Sequence, residues 1–255
     1  MKNFATFLLS AAFSVSGASA TVENPDPAKP TIVLVHGLWA DGSCWSKVIP
    51  GLLEKGYKVI AVQNPTTSIE DDVAATQRAI ELAGGDVILV GHSWGGFVIT
   101  EAGDNPHVKA LVYVAAFAPD KGETIPSLFE KAPATQLSSY FQTTGSFITL
   151  TKDGVSKAFA DDLTAKEQDM VFTVQQPASQ NTFAATGKNA AWKQKPSWYI
   201  VASGDKTIHP DLERLMAKRA NAKTTTVSTS HVPMLSQPEK VLSVIYDAVN
   251  EVSKK

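Results

Sequence analysis

The sequence predicts the α/β class, a mostly parallel, doubly wound sheet covered by helices on both faces and interrupted by one helical cap. Three observations carry that expectation. Short β-branched runs alternate with segments of helical period, the pattern of parallel strands joined by crossover helices. Several runs are apolar throughout, as in Thr31-Ile-Val-Leu-Val35 and Val87-Ile-Leu-Val90, which suits strands buried on both faces. One long stretch, about residues 118–190, shows no convincing strand and breaks the alternation.

The elements follow in order. Residues 1–20 read as a signal peptide: Lys2 supplies the positive start, and Phe4 to Val15 is apolar but short of the roughly 20 residues that span a bilayer. Ala18-Ser19-Ala20 fits a cleavage site, leaving 21–255 as the mature domain, exported to the periplasm or the medium. After an extended leader with Pro25, Pro27 and Pro30 comes the strand Thr31–Val35. Trp45–Lys55 reads as helix, Tyr57–Val62 as strand, and Ser68-Ile-Glu-Asp71 as the capping box of a helix ending at Gly84-Gly85. Val87–Val90 is strand, Phe97–Ala102 helix and Lys109–Ala115 strand. The stretch 118–190 is polar and helical in character, yet it holds Phe129, Phe141, Phe147, Phe159, Phe172 and Phe183. Its length and position make it a lid or cap. Trp198–Ala202 is strand, Pro210–Arg219 helix and Thr224–Ser228 strand, and Ser236-x-x-Glu239 caps a last amphipathic helix.

Composition narrows the function. Lys+Arg is 23 against Asp+Glu 25, with no basic run, so a phosphate-reading nucleic-acid partner is not expected. Cys44 stands alone, so no intramolecular disulfide forms, and both C-x-x-C and H-E-x-x-H are absent. No metal or cofactor is therefore expected, and no second long apolar run suggests stable membrane insertion. The composition leaves the oligomeric state open.

The chemistry sits at strand ends. Gly91-His-Ser93-Trp-Gly95 is G-x-S-x-G directly after a buried strand and before a helix, the strand–turn–helix that lifts a nucleophilic serine above a sheet. A serine hydroxyl needs a base. Of five histidines, His231 lies after the last strand and before the last helix, at the sheet's carboxyl edge. His36 and His92 adjoin motifs where a backbone role is expected, and His107 and His209 sit on connections. Asp205, in Ser203-Gly-Asp205 after a strand, is the candidate to orient the base, with Asp120 and Asp211 as competitors. The chain order Ser93, Asp205, His231 is that of a nucleophile-elbow hydrolase. The backbone N–H groups of Leu38 and Trp94 are the candidate oxyanion donors. Trp39, near the mouth, and Phe117, past the fourth strand, are the candidate substrate contacts.

With His36-Gly37, Gly91-His-Ser-Trp-Gly-Gly96, Asp205 and His231, the chain resembles the α/β-hydrolase superfamily from Thr31 to the last helix. His36-Gly-Leu-Trp-Ala-Asp-Gly-Ser-Cys-Trp45 and Ser230-His-Val-Pro-Met-Leu-Ser-Gln-Pro238 look like its small cofactor-free branch of methylesterases, hydroxynitrile lyases and bacterial esterases. That resemblance implies a cap inserted after the sixth strand of the α/β-hydrolase fold. It also implies hydrolysis of a small ester through an acyl-enzyme. The lyases carry Thr, Cys and Lys where this chain has Gly37, Trp94 and Val232, which lowers the lyase reading. Lactones, thioesters and amides remain open as substrates. A lyase or cofactor-free oxygenase, or a binding protein without catalysis, are the rival readings on the same scaffold.

Overall fold

The structure is a computed structural model that describes residues 29–254. The expected signal peptide, its cleavage site and most of the proline-rich leader lie outside the described residues.

The strands are β1 (Thr31–Val35), β2 (Val59–Val62), β3 (Val87–His92), β4 (Val108–Val114), β5 (Phe141–Thr144), β6 (Phe147–Leu150), β7 (Ala178–Ser179), β8 (Ser197–Ala202) and β9 (Lys223–Val227). Six of them form one sheet in the order β2-β1-β3-β4-β8-β9, and every pairing in it is parallel. The uniformly apolar runs are explained by burial: β1, β3 and β8 are buried at every position. The edge strands are not; β9 is exposed at most positions, and its Lys-Thr-Thr-Thr composition suits an edge.

The helices are α1 (Ile49–Glu54), α2 (Ile69–Ala83), α3 (Trp94–Ala102), α4 (Ile125–Phe129), α5 (Ala165–Val174), α6 (Pro210–Arg219) and α7 (Pro238–Val252). Ser68 caps α2 by accepting the Asp71 N–H, and Gly84 ends it at φ 72°. α7 buries Val241, Leu242, Val244, Ile245, Ala248 and Val249 under the sheet. Two expected helices differ. Trp45–Lys55 is a 3₁₀ turn over Gly42–Trp45 followed by α1, because Pro50 has no N–H to donate and fits only a first turn. Ser236 does not cap α7; Pro238 opens that helix and Gln237 is its cap residue, without a side-chain bond.

The cap leaves the main sheet after β4, its fourth strand among the described residues rather than its sixth, and returns into β8. It is not purely helical. β5 and β6 form an antiparallel hairpin about Gly145 at φ 59°, and β7 extends it to three strands. Phe-Gln-Thr-Thr and Phe-Ile-Thr-Leu flank a Gly-Ser turn, a hairpin signal that the polar composition obscures. The cap's two roots are stitched together: the Gly122 N–H donates to Gly187 O at 2.8 Å and the Gly187 N–H to Glu123 O at 2.8 Å. The Trp192 indole N–H reaches Pro119 O at 2.8 Å, and Arg219 grips Glu123 through both guanidinium N–H groups.

Candidate active site

The loops after β1, β3, β8 and β9 all end at the carboxyl edge of the sheet. The tightest turn is the one carrying Ser93, at φ 53° and ψ −121°. Such a conformation costs of order 1–3 kcal/mol and persists only where the surroundings enforce it. Here they do. The Ser93 N–H donates to Val114 O at 3.2 Å, and the Gly96 and Phe117 N–H groups both donate to Ser93 O at 3.0 Å. The glycines are steric requirements. A Cβ on Gly91 would lie 2.5 Å from Gly95 O, one on Gly95 2.3 Å from Val35 O, and one on Gly96 2.4 Å from Phe117 O. A Cβ on Gly37 would lie 2.7 Å from the Ser93 Cβ, so the loop bearing Leu38 packs directly against the serine. Trp94 opens α3, so its N–H has no acceptor within that helix.

His231 and Asp205 meet behind this turn. The His231 Nδ1–H donates to Asp205 Oδ2 at 2.5 Å, and both side chains are buried. Asp205 Oδ1 accepts the Thr207 N–H at 2.6 Å and the Ile208 N–H at 3.0 Å. These bonds fix the proton on Nδ1 and leave Nε2 as the basic nitrogen. That Nε2 is buried and without a partner among the described residues. Ser93 is joined to the His231 loop through its neighbour His92, which bonds His231 O, but no hydrogen bond links Ser93 to His231; such bonds commonly tighten only around substrate. The competing carboxylates go elsewhere: Asp120 pairs with Lys193, and Asp211 with Arg214.

Further buried groups support the site. His92 Nε2–H donates to His231 O at 2.8 Å, with ring centroids 4.8 Å apart. Burial, then the neighbouring His231, hold its imidazole neutral by lowering its pKa well below the usual value. His36 is also held below the ordinary histidine value by burial, and it accepts the Asn64 N–H at 2.9 Å. Both expected backbone roles are seen. Asp72 accepts the Trp94 indole N–H at 2.7 Å and the Thr66 N–H at 2.8 Å. Burial pushes its carboxyl up to about 6, against those hydrogen bonds. Glu213 is fully buried on α6. The signal for it was positional, since it shares the buried face of α6 with Leu212, Met216 and Ala217.

The cap roofs the site with aromatic rings. Trp39 donates its indole N–H to Ile148 O at 3.0 Å and packs against Phe141, Phe159 and Phe183. Phe159 stands edge-on to His231 at 5.1 Å. Phe117 turns its ring to Phe129 at 5.6 Å, while its N–H holds the Ser93 carbonyl. The same cap segment fastens the loops that carry Asp205 and His231: Thr207 Oγ1 donates to Ala158 O at 3.0 Å, and Ser230 donates its N–H and Oγ–H to Asp162 at 2.9 and 2.5 Å. An apolar cavity of about 330 Å³ lies beside the rings, lined by Trp39, Phe159, Leu163, Val171, Val174 and Val232. No cluster of side chains able to hold a metal ion is present among the described residues. Among them, too, no helix is long and apolar enough to cross a membrane.

Comparison with known proteins agrees with this architecture. A model of the "Alpha/beta hydrolase family" matches residues 32–244. The chain is similar to alpha/beta hydrolase nvfD of Aspergillus novofumigatus, 28% identical over 88% of this chain and 98% of that protein. It is similar to methylesterase 2 of Arabidopsis thaliana, 27% identical over 83% of this chain and 92% of the relative. Among solved structures, a pyrethroid hydrolase from Sphingobium faniae superposes with a TM-score of 0.74 at 23% identity, covering 89% of this chain and 99% of the other.

Proposed function

The chain belongs to the alpha/beta hydrolase family, and from that premise we propose that it is an exported serine esterase acting on a small apolar or aryl carboxylic ester. The observation that carries the reading is the strained Ser93 turn beside the buried His231–Asp205 pair. In this mechanism Ser93 Oγ attacks the ester carbonyl while His231 Nε2 takes its proton. The tetrahedral oxyanion is received by the N–H groups of Leu38 and Trp94, each donor of this kind being worth about 3 kcal/mol. His231 then protonates the leaving alcohol. Water repeats the sequence on the acyl-enzyme and frees the acid. Asp205 keeps the imidazole in its Nδ1–H tautomer and stabilises the imidazolium.

The roof supports a small, apolar substrate. Trp39, Phe141, Phe159 and Phe183 offer apolar faces, and the adjoining apolar cavity of about 330 Å³ lies at the low end of ligand-pocket sizes. The methylesterase name of one relative supports an ester. Export rests on the pattern of residues 1–20.

The test uses the chain from Thr21 onward and its Ser93→Ala variant, treated with a fluorophosphonate and assayed on short-chain aryl esters. One adduct by intact mass on the wild type alone, with turnover lost in the variant, is expected. Folded protein that takes no adduct and hydrolyses no ester overturns the proposal.

A further inference from the structure

Asp205 has an unusual neighbour. The Glu213 carboxyl is fully buried, and its Oε2 accepts the Ala202 N–H at 2.8 Å. The Ala202 carbonyl accepts the Asp205 N–H at 3.2 Å, so one residue ties both acids into the same turn. Glu213 Oε1 is buried and meets no N–H or O–H donor among the described residues. The Glu213 carboxyl does interact, side chain to side chain, with the carboxylate of Asp205. Two ionised carboxylates in contact in a dry place repel strongly, and only a shared proton resolves the contact.

The groups facing Glu213 decide where that proton sits. Tyr199 lies on β8 with its hydroxyl donated to Ala116 O, and it brings no positive charge. Arg214 points to Asp211 and pairs with it on the exposed side of α6. Both Asp205 oxygens already accept, from His231, Thr207 and Ile208, so Asp205 is the acceptor of the pair. Glu213 has one donor. The proton therefore belongs to Glu213.

We propose that Glu213 is a neutral acid whose Oε1–H donates to Asp205, making it a positioning residue that extends the Ser93–His231–Asp205 line by one member. Burial, and then the nearby Asp205 charge, raise the Glu213 pKa well above the ordinary carboxyl value, in keeping with this assignment. The donated proton gives Asp205 a fourth hydrogen bond and keeps a single negative charge behind the imidazole. That charge is what stabilises the imidazolium, and the extra donor draws part of it away from His231.

The inference rests on the esterase reading for its kinetic consequences only, so the first readout needs no turnover. Difference infrared spectra of wild type minus Glu213→Gln at pH 7 are expected to show the carbonyl stretch of a protonated carboxyl group. An ionised-carboxylate band in its place overturns the proposal whatever the enzyme hydrolyses. The second readout is the pH profile of kcat/KM, with the His231 titration followed by NMR if no ester is turned over. Glu213→Gln keeps a neutral donor, so kcat within about threefold and an unmoved acid limb are expected. Glu213→Leu removes the donor, so a roughly tenfold fall in kcat and an acid limb shifted to higher pH are expected. A fall of the acid limb by a unit or more in Glu213→Gln reports loss of a negative charge and overturns the proposal. So does a Glu213→Leu profile matching that of Glu213→Gln. If Glu213→Leu does not fold, the infrared band and the Glu213→Gln profile decide alone.

Discussion

Replacing Asp72 by Asn should change how stability depends on pH, and the size follows from the structure. The Asp72 carboxyl is buried beneath Trp94, and burial lifts its pKa from 3.8 to about 6. The folded state thus holds this proton more tightly than the unfolded chain. Between pH 4 and 6 the unfolded state releases a proton that the native state keeps, so stability falls as pH rises through that window. The tighter hold on this proton is worth about 3 kcal/mol, fully present below pH 4 and lost above pH 6. Asn has no such titration. It also loses one acceptor facing the two N–H donors of Trp94 and Thr66, at a cost of about 1–3 kcal/mol. Asp72→Asn is therefore expected to be less stable than wild type at pH 4, and the difference to shrink by about 3 kcal/mol by pH 7. Urea denaturation of both proteins at half-unit steps from pH 4 to 7 measures this, and subtraction cancels every other titrating group. A stability difference that stays constant across the range refutes the reasoning.

Three further outcomes are expected. Asp205→Asn should lower kcat by about 10⁴-fold by disturbing the imidazole tautomer, read by ester hydrolysis at saturating substrate; activity near wild type would transfer the role to another carboxylate. Gly95→Ala should lose activity and about 1–3 kcal/mol of stability, because its Cβ would lie 2.3 Å from Val35 O on a central strand; chemical denaturation and an ester assay check both. Trp39→Phe removes the bond to Ile148 O and part of the aromatic roof, so preference among aryl esters should change while a small acetate ester still reacts; an unchanged specificity profile counts against the roof as a substrate contact.

Local sequence signals located the elements whose causes are local. Pro210 and the acidic first turn mark α6 from its first residue to its last. Ser68 and Gly84 bracket α2. The strand-end position of Asp205 and His231 was enough to predict their meeting, since a parallel sheet delivers all its carboxyl ends to one edge. What stayed hidden depends on contacts between distant segments. The His92 bond to His231 spans 139 residues, and no neighbour of either announces it. Asp72 reads as an ordinary acidic residue in a helix's first turn, and only the indole of Trp94 gives it another purpose. The cap hairpin was missed because its Thr and Gln face solvent, which hides the pairing of Phe141 with Leu150.

The bonds that join the cap's two roots have a consequence for how this scaffold diversifies. Gly122, Glu123 and Gly187 close the insertion into a loop whose ends stay paired whatever lies between them. Once that neck exists, the entropy of closing the loop grows only with the logarithm of its length, by about 0.6 kcal/mol per doubling. Residues 124–186 thus form a cassette whose size is thermodynamically cheap to vary. The segment beyond Gly187 is not part of it, because Trp192 and Ala191 pack into the body of the domain on the way back to the sheet. Selection, or an engineer, has a natural pair of cut points here, at which the roof over the serine can be exchanged while the sheet beneath keeps its register.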